Sequence, residues 1–153
     1  MPGTYAQIFI QIVFAVRYRK ALISPAWEDD LYAYITGIVK GKGQKLLAIN
    51  GMPDHIHMLL GLRPECHIPP LIREIKKSSN TFINTNKLTK QRFYWQGGYG
   101  AFSYGRSQMI QVVNYIHNQK TIHQNRKFRD EYMQLLDRFE VKYKPEYLIE
   151  LED

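Results

Sequence analysis

Pro53-Asp54-His55-Ile56-His57-Met58-Leu59-Leu60 joins a turn dipeptide to a short apolar segment that carries two histidines one residue apart. Successive side chains of a strand point to opposite faces, so Ile56, Met58 and Leu60 share one face and His55 and His57 the other. Two imidazoles about 6–7 Å apart along one strand face can share an ion. The alternative is a pair of surface histidines on a half-exposed strand, and the rest of the chain has to separate the two.

Residues 44–52 read as a strand, and Pro53-Asp54 turns it into the histidine strand 55–62, making a tight hairpin. Residues 5–16 read as a third strand. Its even positions (Ala6, Ile8, Ile10, Ile12, Phe14, Val16) are apolar, and its odd positions include Gln7 and Gln11. Both strands therefore have one greasy face and one mixed face. This predicts an α+β fold with helices packed on the apolar face and the histidines on the other, beside Gln7 or Gln11. Between the strands, Ser24-Pro25 reads as an N-cap followed by proline in the first turn, with Glu28, Asp29 and Asp30 complementing the helix dipole. Trp27, Leu31, Tyr34, Ile35 and Ile38 form that helix's apolar stripe, and Gly41 and Gly43 end it.

A second helix runs from Pro69-Pro70 to about Asn84, with Leu71, Ile75, Ser78 and Phe82 as its expected inward stripe. Arg73, Lys76, Lys77, Asn80 and Asn84, with Lys87 beyond, give its other side a basic, amide-bearing face suited to phosphates and base edges. A solvated surface stripe is the plainer reading of the same residues. The glycine- and aromatic-rich run 93–105 reads as one or two short strands. A helix is expected over 107–125 and another over 128–139, ahead of an acidic tail (Glu146, Glu150, Glu152, Asp153).

The 153 residues are expected to form one domain, 1–153, with a core over about 5–125 and a C-terminal helix and tail over 126–153. Hydrophobic residues make up 44% and charged residues 23%, ordinary values for a globular chain. No apolar run approaches a membrane span, and no signal peptide is evident, so a cytoplasmic protein is expected. The single cysteine, Cys66, rules out an intrachain disulfide and a multi-cysteine zinc site. The net charge of +7 favours a polyanionic partner, nucleic acid first.

On the helix over 107–125, Met109, Val112, Val113 and Ile116 form one apolar stripe at about 100° per residue. Tyr115 falls about 100–120° from the centre of that stripe, among glutamines. Tyr115, Gln119 and His123 follow at i, i+4 and i+8 along one side. An exposed helix flank is the alternative.

The ordered set Pro-Asp-His55-Ile56-His57, a basic helix, Trp95-Gln96, Gly98-Tyr99-Gly100-Ala101-Phe102-Ser103 and Tyr115-Ile116-x-x-Gln119 resembles the single-tyrosine HUH transposases of bacterial and archaeal insertion sequences. The resemblance spans the chain from the first strand to about residue 125. It implies a ferredoxin-like antiparallel sheet with helices on one face and the tyrosine-bearing helix on the HUH site. It also implies Tyr115 as the catalytic tyrosine, and His55, His57 and Gln119 as ligands of a divalent metal, Mg²⁺ or Mn²⁺. The partners implied are single-stranded DNA with hairpin ends and a second copy of the chain, a homodimer whose active sites are completed in trans. His117 and His123 are not carried over. The base for Tyr115 is left open between a metal-bound water and His123. The function implied is cleavage and rejoining of single-stranded DNA through a 5′-phosphotyrosine link. Alternatives are a domesticated palindrome nuclease or nickase with the same site, a non-catalytic single-stranded nucleic-acid-binding module, and a small regulator using the histidines structurally.

Overall fold

The computed structural model describes residues 3–144; the acidic tail lies outside them. Four strands, β1 (Ile8–Ala15), β2 (Lys45–Met52), β3 (His55–Leu62) and β4 (Gly100–Tyr104), form one antiparallel sheet in the order β2-β3-β1-β4. Helices α1 (Glu28–Gly41) and α2 (Ile68–Thr85) connect them in a βαββαβ arrangement, the ferredoxin-like topology. No described helix is long and apolar enough to cross a membrane.

The alternation of β1 and β3 sorts the sheet into two faces. Ile12 lies opposite Met58 and Phe14 opposite Ile56, and this face packs on Leu31, Ile35, Val39, Ile72, Ile75 and Ile83 of α1 and α2. Val13 lies opposite His57 and Ala15 opposite His55 on the other face. That face is covered as well. Helices α3 (Met109–His117) and α5 (Phe128–Arg138) bury Val112, Ile116, Phe128, Leu135 and Leu136 against Val13, Leu59 and Phe102. The sheet is thus the middle of three layers, and His55 and His57 are wholly buried.

Two local expectations shift. The inward stripe of α2 is Leu71, Ile72, Ile75, Ser79 and Ile83, in place of Ser78 and Phe82. Ser79 accepts the Trp95 indole N–H at 2.9 Å, and Phe82, half-buried at the edge of the core, stacks on Tyr34. The segment 107–125 is not one helix. It opens with a 3₁₀ turn over Arg106–Gln108, runs as α3, breaks at Asn118 (φ −94°, ψ 16°) and resumes as the short α4 (Gln119–Ile122). Tertiary bonds hold the break. Asn50 of β2 donates to the His117 carbonyl at 2.9 Å, and Lys120 donates to Asn50 Oδ1 at 3.0 Å and to the Gly51 carbonyl at 2.6 Å.

Gly51 faces Ile56 where the hairpin closes, and a Cβ there would lie 2.2 Å from the His55 carbonyl oxygen. Backbone cannot yield as a side chain does. Gly51→Ala is expected to destabilise the fold by about 3 kcal/mol, read as a lower urea midpoint, and an unchanged midpoint would refute the close approach.

Candidate active site

β3 delivers both imidazoles to the α3/α5 side, where their rings meet edge-on at 5.3 Å. Each ring is fixed through Nδ1. His55 Nδ1 donates to Asp54 Oδ1 at 2.7 Å, and Arg19 holds that carboxylate from behind at 3.2 Å. His57 Nδ1 donates to Gln11 Oε1 at 2.8 Å, and Gln11 donates onward to the Tyr104 hydroxyl at 2.7 Å. These outer partners leave both Nε2 atoms turned to the same buried point. Phe128 of α5 stacks on His55, with centroids 3.9 Å apart, and seals that side.

Tyr115 comes to this point from α3, its ring 5.7 Å from that of His57. Gln119, fully buried at the start of α4, sets its Oε1 3.2 Å from His55 Nε2. The structure therefore brings His55, His57, Tyr115 and Gln119 together. It does so within one chain, whereas the resemblance implies that a partner's tyrosine helix completes the site.

Two further groups reach the same point. Glu131 of α5 is fully buried; its Oε1 lies 3.0 Å from His57 Nε2, 3.0 Å from His123 Nε2 and 3.6 Å from His55 Nε2. Its Oε2 accepts from the Tyr115 hydroxyl and, at 2.9 Å, from the Gln119 amide. His123 donates from Nδ1 to the Arg126 carbonyl at 2.6 Å, so its Nε2 also faces inward. His55, His57, His123 and Glu131 form a group of potential metal ligands whose donor atoms all lie within 4.8 Å of one another. The sequence carried one sign of Glu131: it occupies a core position of an amphipathic helix, three residues after Phe128 and four before Leu135, where an acid is costly unless paired.

Burial alone would raise the Glu131 carboxyl, but the facing His57, His123 and His55 rings outweigh it and hold that carboxyl far below the usual range. Burial, and then the Glu131 carboxylate, push the Tyr115 phenol far above its ordinary value, so in this arrangement it keeps its proton. Burial also lowers the pKa of His55 against the pull of Asp54. A cavity of about 250 Å³ lies beside Tyr115, lined by Tyr104, Gln108, Gln111, Arg126 and Arg138 among others.

The basic helix stands apart from this cluster, because α2 packs on the opposite face of the sheet. Arg73 and Lys77 are exposed. Lys76 is occupied: its ammonium donates to the Gln96 and Gly98 carbonyls at 2.8 and 2.5 Å and lies 5.0 Å over the Phe14 ring, and burial pushes its pKa down to about 8. Asn84 spends its amide on the backbone of Phe93, at 3.0 and 2.8 Å. Lys77, Asn80, Asn84 and Arg92 line a surface groove.

The chain is 24% identical over 122 residues to the ISDra2 transposase TnpA of Deinococcus radiodurans, covering 76% of this chain and 87% of that protein. Among solved structures, it is similar to a Deinococcus radiodurans protein described as a transposase, with a TM-score of 0.64 and 25% identity over 78% of this chain and 95% of that one. A REP-associated tyrosine transposase bound to a REP hairpin shares the fold, with a TM-score of 0.60 and 18% identity over 80% of this chain and 73% of that one. The family model described as "Transposase IS200 like" matches residues 4–119, from just before β1 to Gln119, and this chain belongs to the IS200-like transposase family.

Proposed function

We propose that this chain cuts and rejoins single-stranded DNA with Tyr115 as nucleophile and His55 and His57 holding a divalent ion. The observation that supports this most directly is the convergence of the Tyr115 hydroxyl and both Nε2 atoms on one buried carboxylate, beside a cavity that reaches Tyr115. The donor chemistry fits an ion: each imidazole is oriented by an acceptor at Nδ1 and presents Nε2. A bound divalent ion would supply charge neutralisation at the scissile phosphate. The chain's own part is to hold and orient. Phe128 stacks over the His55 ring and holds it in place, and Arg126 and Arg138 offer guanidinium groups to a phosphate entering beside Tyr115.

In the reaction, the Tyr115 oxygen forms a bond to phosphorus and the bond from phosphorus to the 3′ oxygen breaks. The products are a 5′-phosphotyrosine link and a free 3′-OH; the phenolic proton passes to Glu131 Oε2, which accepts from the Tyr115 hydroxyl, and the departing 3′ oxygen takes up a proton in its turn. The ester keeps the energy of the broken bond, so the reverse attack by a 3′-OH rejoins the strand without a nucleotide cofactor.

The hairpin held by the structurally similar REP-associated protein supports hairpin-bearing single strands as substrate. Arg73, Lys77 and Asn80 would then serve as a phosphate-binding face distant from the cut, with Lys76 and Asn84 shaping the loop they grip. Because one chain assembles the cluster, cleavage in cis is the reading we adopt; a homodimer with sites completed in trans would require α3 to leave its own histidines for the partner's, whereas a homodimer with each site in cis would not. Mixing the chain with labelled single-stranded hairpin ends and Mn²⁺ or Mg²⁺ is expected to give a covalent protein–DNA band on a denaturing gel. Retention of the oligonucleotide with no adduct would point to a binding module instead.

A further inference from the structure

The family match ends at residue 119, yet two of the groups that crowd the histidine pair, His123 and Glu131, lie beyond it. Their arrangement suits a cation. His55, His57 and His123 each spend Nδ1–H on a separate acceptor, namely the Asp54 carboxylate, the Gln11 amide oxygen and the Arg126 carbonyl. All three Nε2 atoms then face Glu131 Oε1 at 3.0 to 3.6 Å. With each Nδ1–H spent outward, a neutral ring turns its Nε2 lone pair to the common point, the orientation that a bound divalent ion takes up. The Oε1–Nε2 separations are near the roughly 3.0 Å between adjacent ligands that each lie about 2.1 Å from a common centre; the group spans up to 4.8 Å, so the rings draw together by a few tenths of an ångström on an ion. Gln119 shares fewer of these contacts: its amide donates to Glu131 Oε2 at 2.9 Å, and its Oε1 lies 3.2 Å from His55 Nε2, whereas Glu131 Oε1 faces all three imidazoles.

We propose that the ion is held by His55, His57, His123 and Glu131, with the C-terminal helix as an obligatory part of the site and Gln119 as the positioning residue that clamps Glu131. This rests on the metal reading given above and changes its ligand set. Three imidazoles and one carboxylate favour Mn²⁺ and the later first-row ions over Mg²⁺, which prefers oxygen ligands and water.

Mn²⁺ binding to the full chain, followed by electron paramagnetic resonance without DNA, tests this. Glu131→Gln is expected to weaken Mn²⁺ more than about 100-fold, and Gln119→Ala only about tenfold, the size of an outer-partner loss. Mg²⁺ is expected to compete only in large excess. Pulsed resonance on the unaltered protein is expected to count three coordinated imidazole nitrogens, a readout that stands even if a variant misfolds. Wild-type or tighter Mn²⁺ binding by Glu131→Gln, a larger loss in Gln119→Ala than in Glu131→Gln, or a count of two nitrogens would overturn the assignment. His57→Ala separates the two levels. If it alone abolishes binding, the His55/His57 reading stands and the Glu131 assignment fails; if it binds Mn²⁺ normally, both fail.

Discussion

Tyr115→Phe is expected to remove the covalent protein–DNA band and lower strand cleavage by on the order of 10⁴–10⁶-fold, the scale seen when an enzyme loses its nucleophile. Only the hydroxyl is lost. The ring stays against His57, and α3 keeps Val112 and Ile116 in the core, so affinity for a hairpin oligonucleotide should hold within about twofold. Cleavage near the wild-type rate would remove Tyr115 from the chemistry. The same variant tests whether the site works in cis. A mixture of Tyr115→Phe chains with His57→Ala chains should stay inactive if each site uses its own tyrosine. It should regain activity if a partner's tyrosine helix completes the site.

Removing the divalent ion is expected to be the second large effect. An ion bound only by the folded chain stabilises it by about 2.7 kcal/mol at one hundred times its dissociation constant. For a domain of this size, that raises the thermal midpoint by about 5–10 °C. Chelation should lower the midpoint by this amount and stop cleavage, and restoring Mn²⁺ should reverse both. His57→Ala should melt at one temperature with or without the ion, and lower than wild type. It loses the ring that faces Glu131 at 3.0 Å and engages Gln11 at 2.8 Å; Glu131 keeps Tyr115, Gln119 and His123, so the cost is that of two buried polar groups each short of one contact, about 2–3 kcal/mol. A midpoint indifferent to Mn²⁺ in the wild type would remove the ion from the fold.

Much of the sheet was legible because strand alternation is a local property. The period of two in 5–16 and 55–62 puts Ile12, Phe14, Ile56 and Met58 on one face and His55 and His57 on the other, and the register pairs them that way. The ends of β1 were less legible. Ala6 and Gln7 continue the pattern but lie outside the strand, since pairing needs a partner and β1 begins at Ile8, opposite Leu62. The stripe of α2 falls one position later at its C-terminal end, where Ile83 packs in the core and Ser79 meets the Trp95 indole, contacts that the helix's own periodicity does not distinguish from Ser78 and Phe82.

Local sequence set the face on which the histidines stand and the flank of α3 on which Tyr115 stands, because each depends on side-chain direction within a single element; the ordered motifs carried the family. Gln119 reaches the same point only because the chain breaks at Asn118 and resumes as α4. Only the tertiary structure decided what lies over the histidines. The break at Asn118 is held by Asn50 and Lys120, the closure by Phe128 over His55, and Glu131 meets His57 from 74 residues away. A buried acid in an amphipathic stripe is visible in a sequence as an anomaly, but its partner is not, because the pairing is fixed by how α5 crosses the sheet and not by any periodicity within α5.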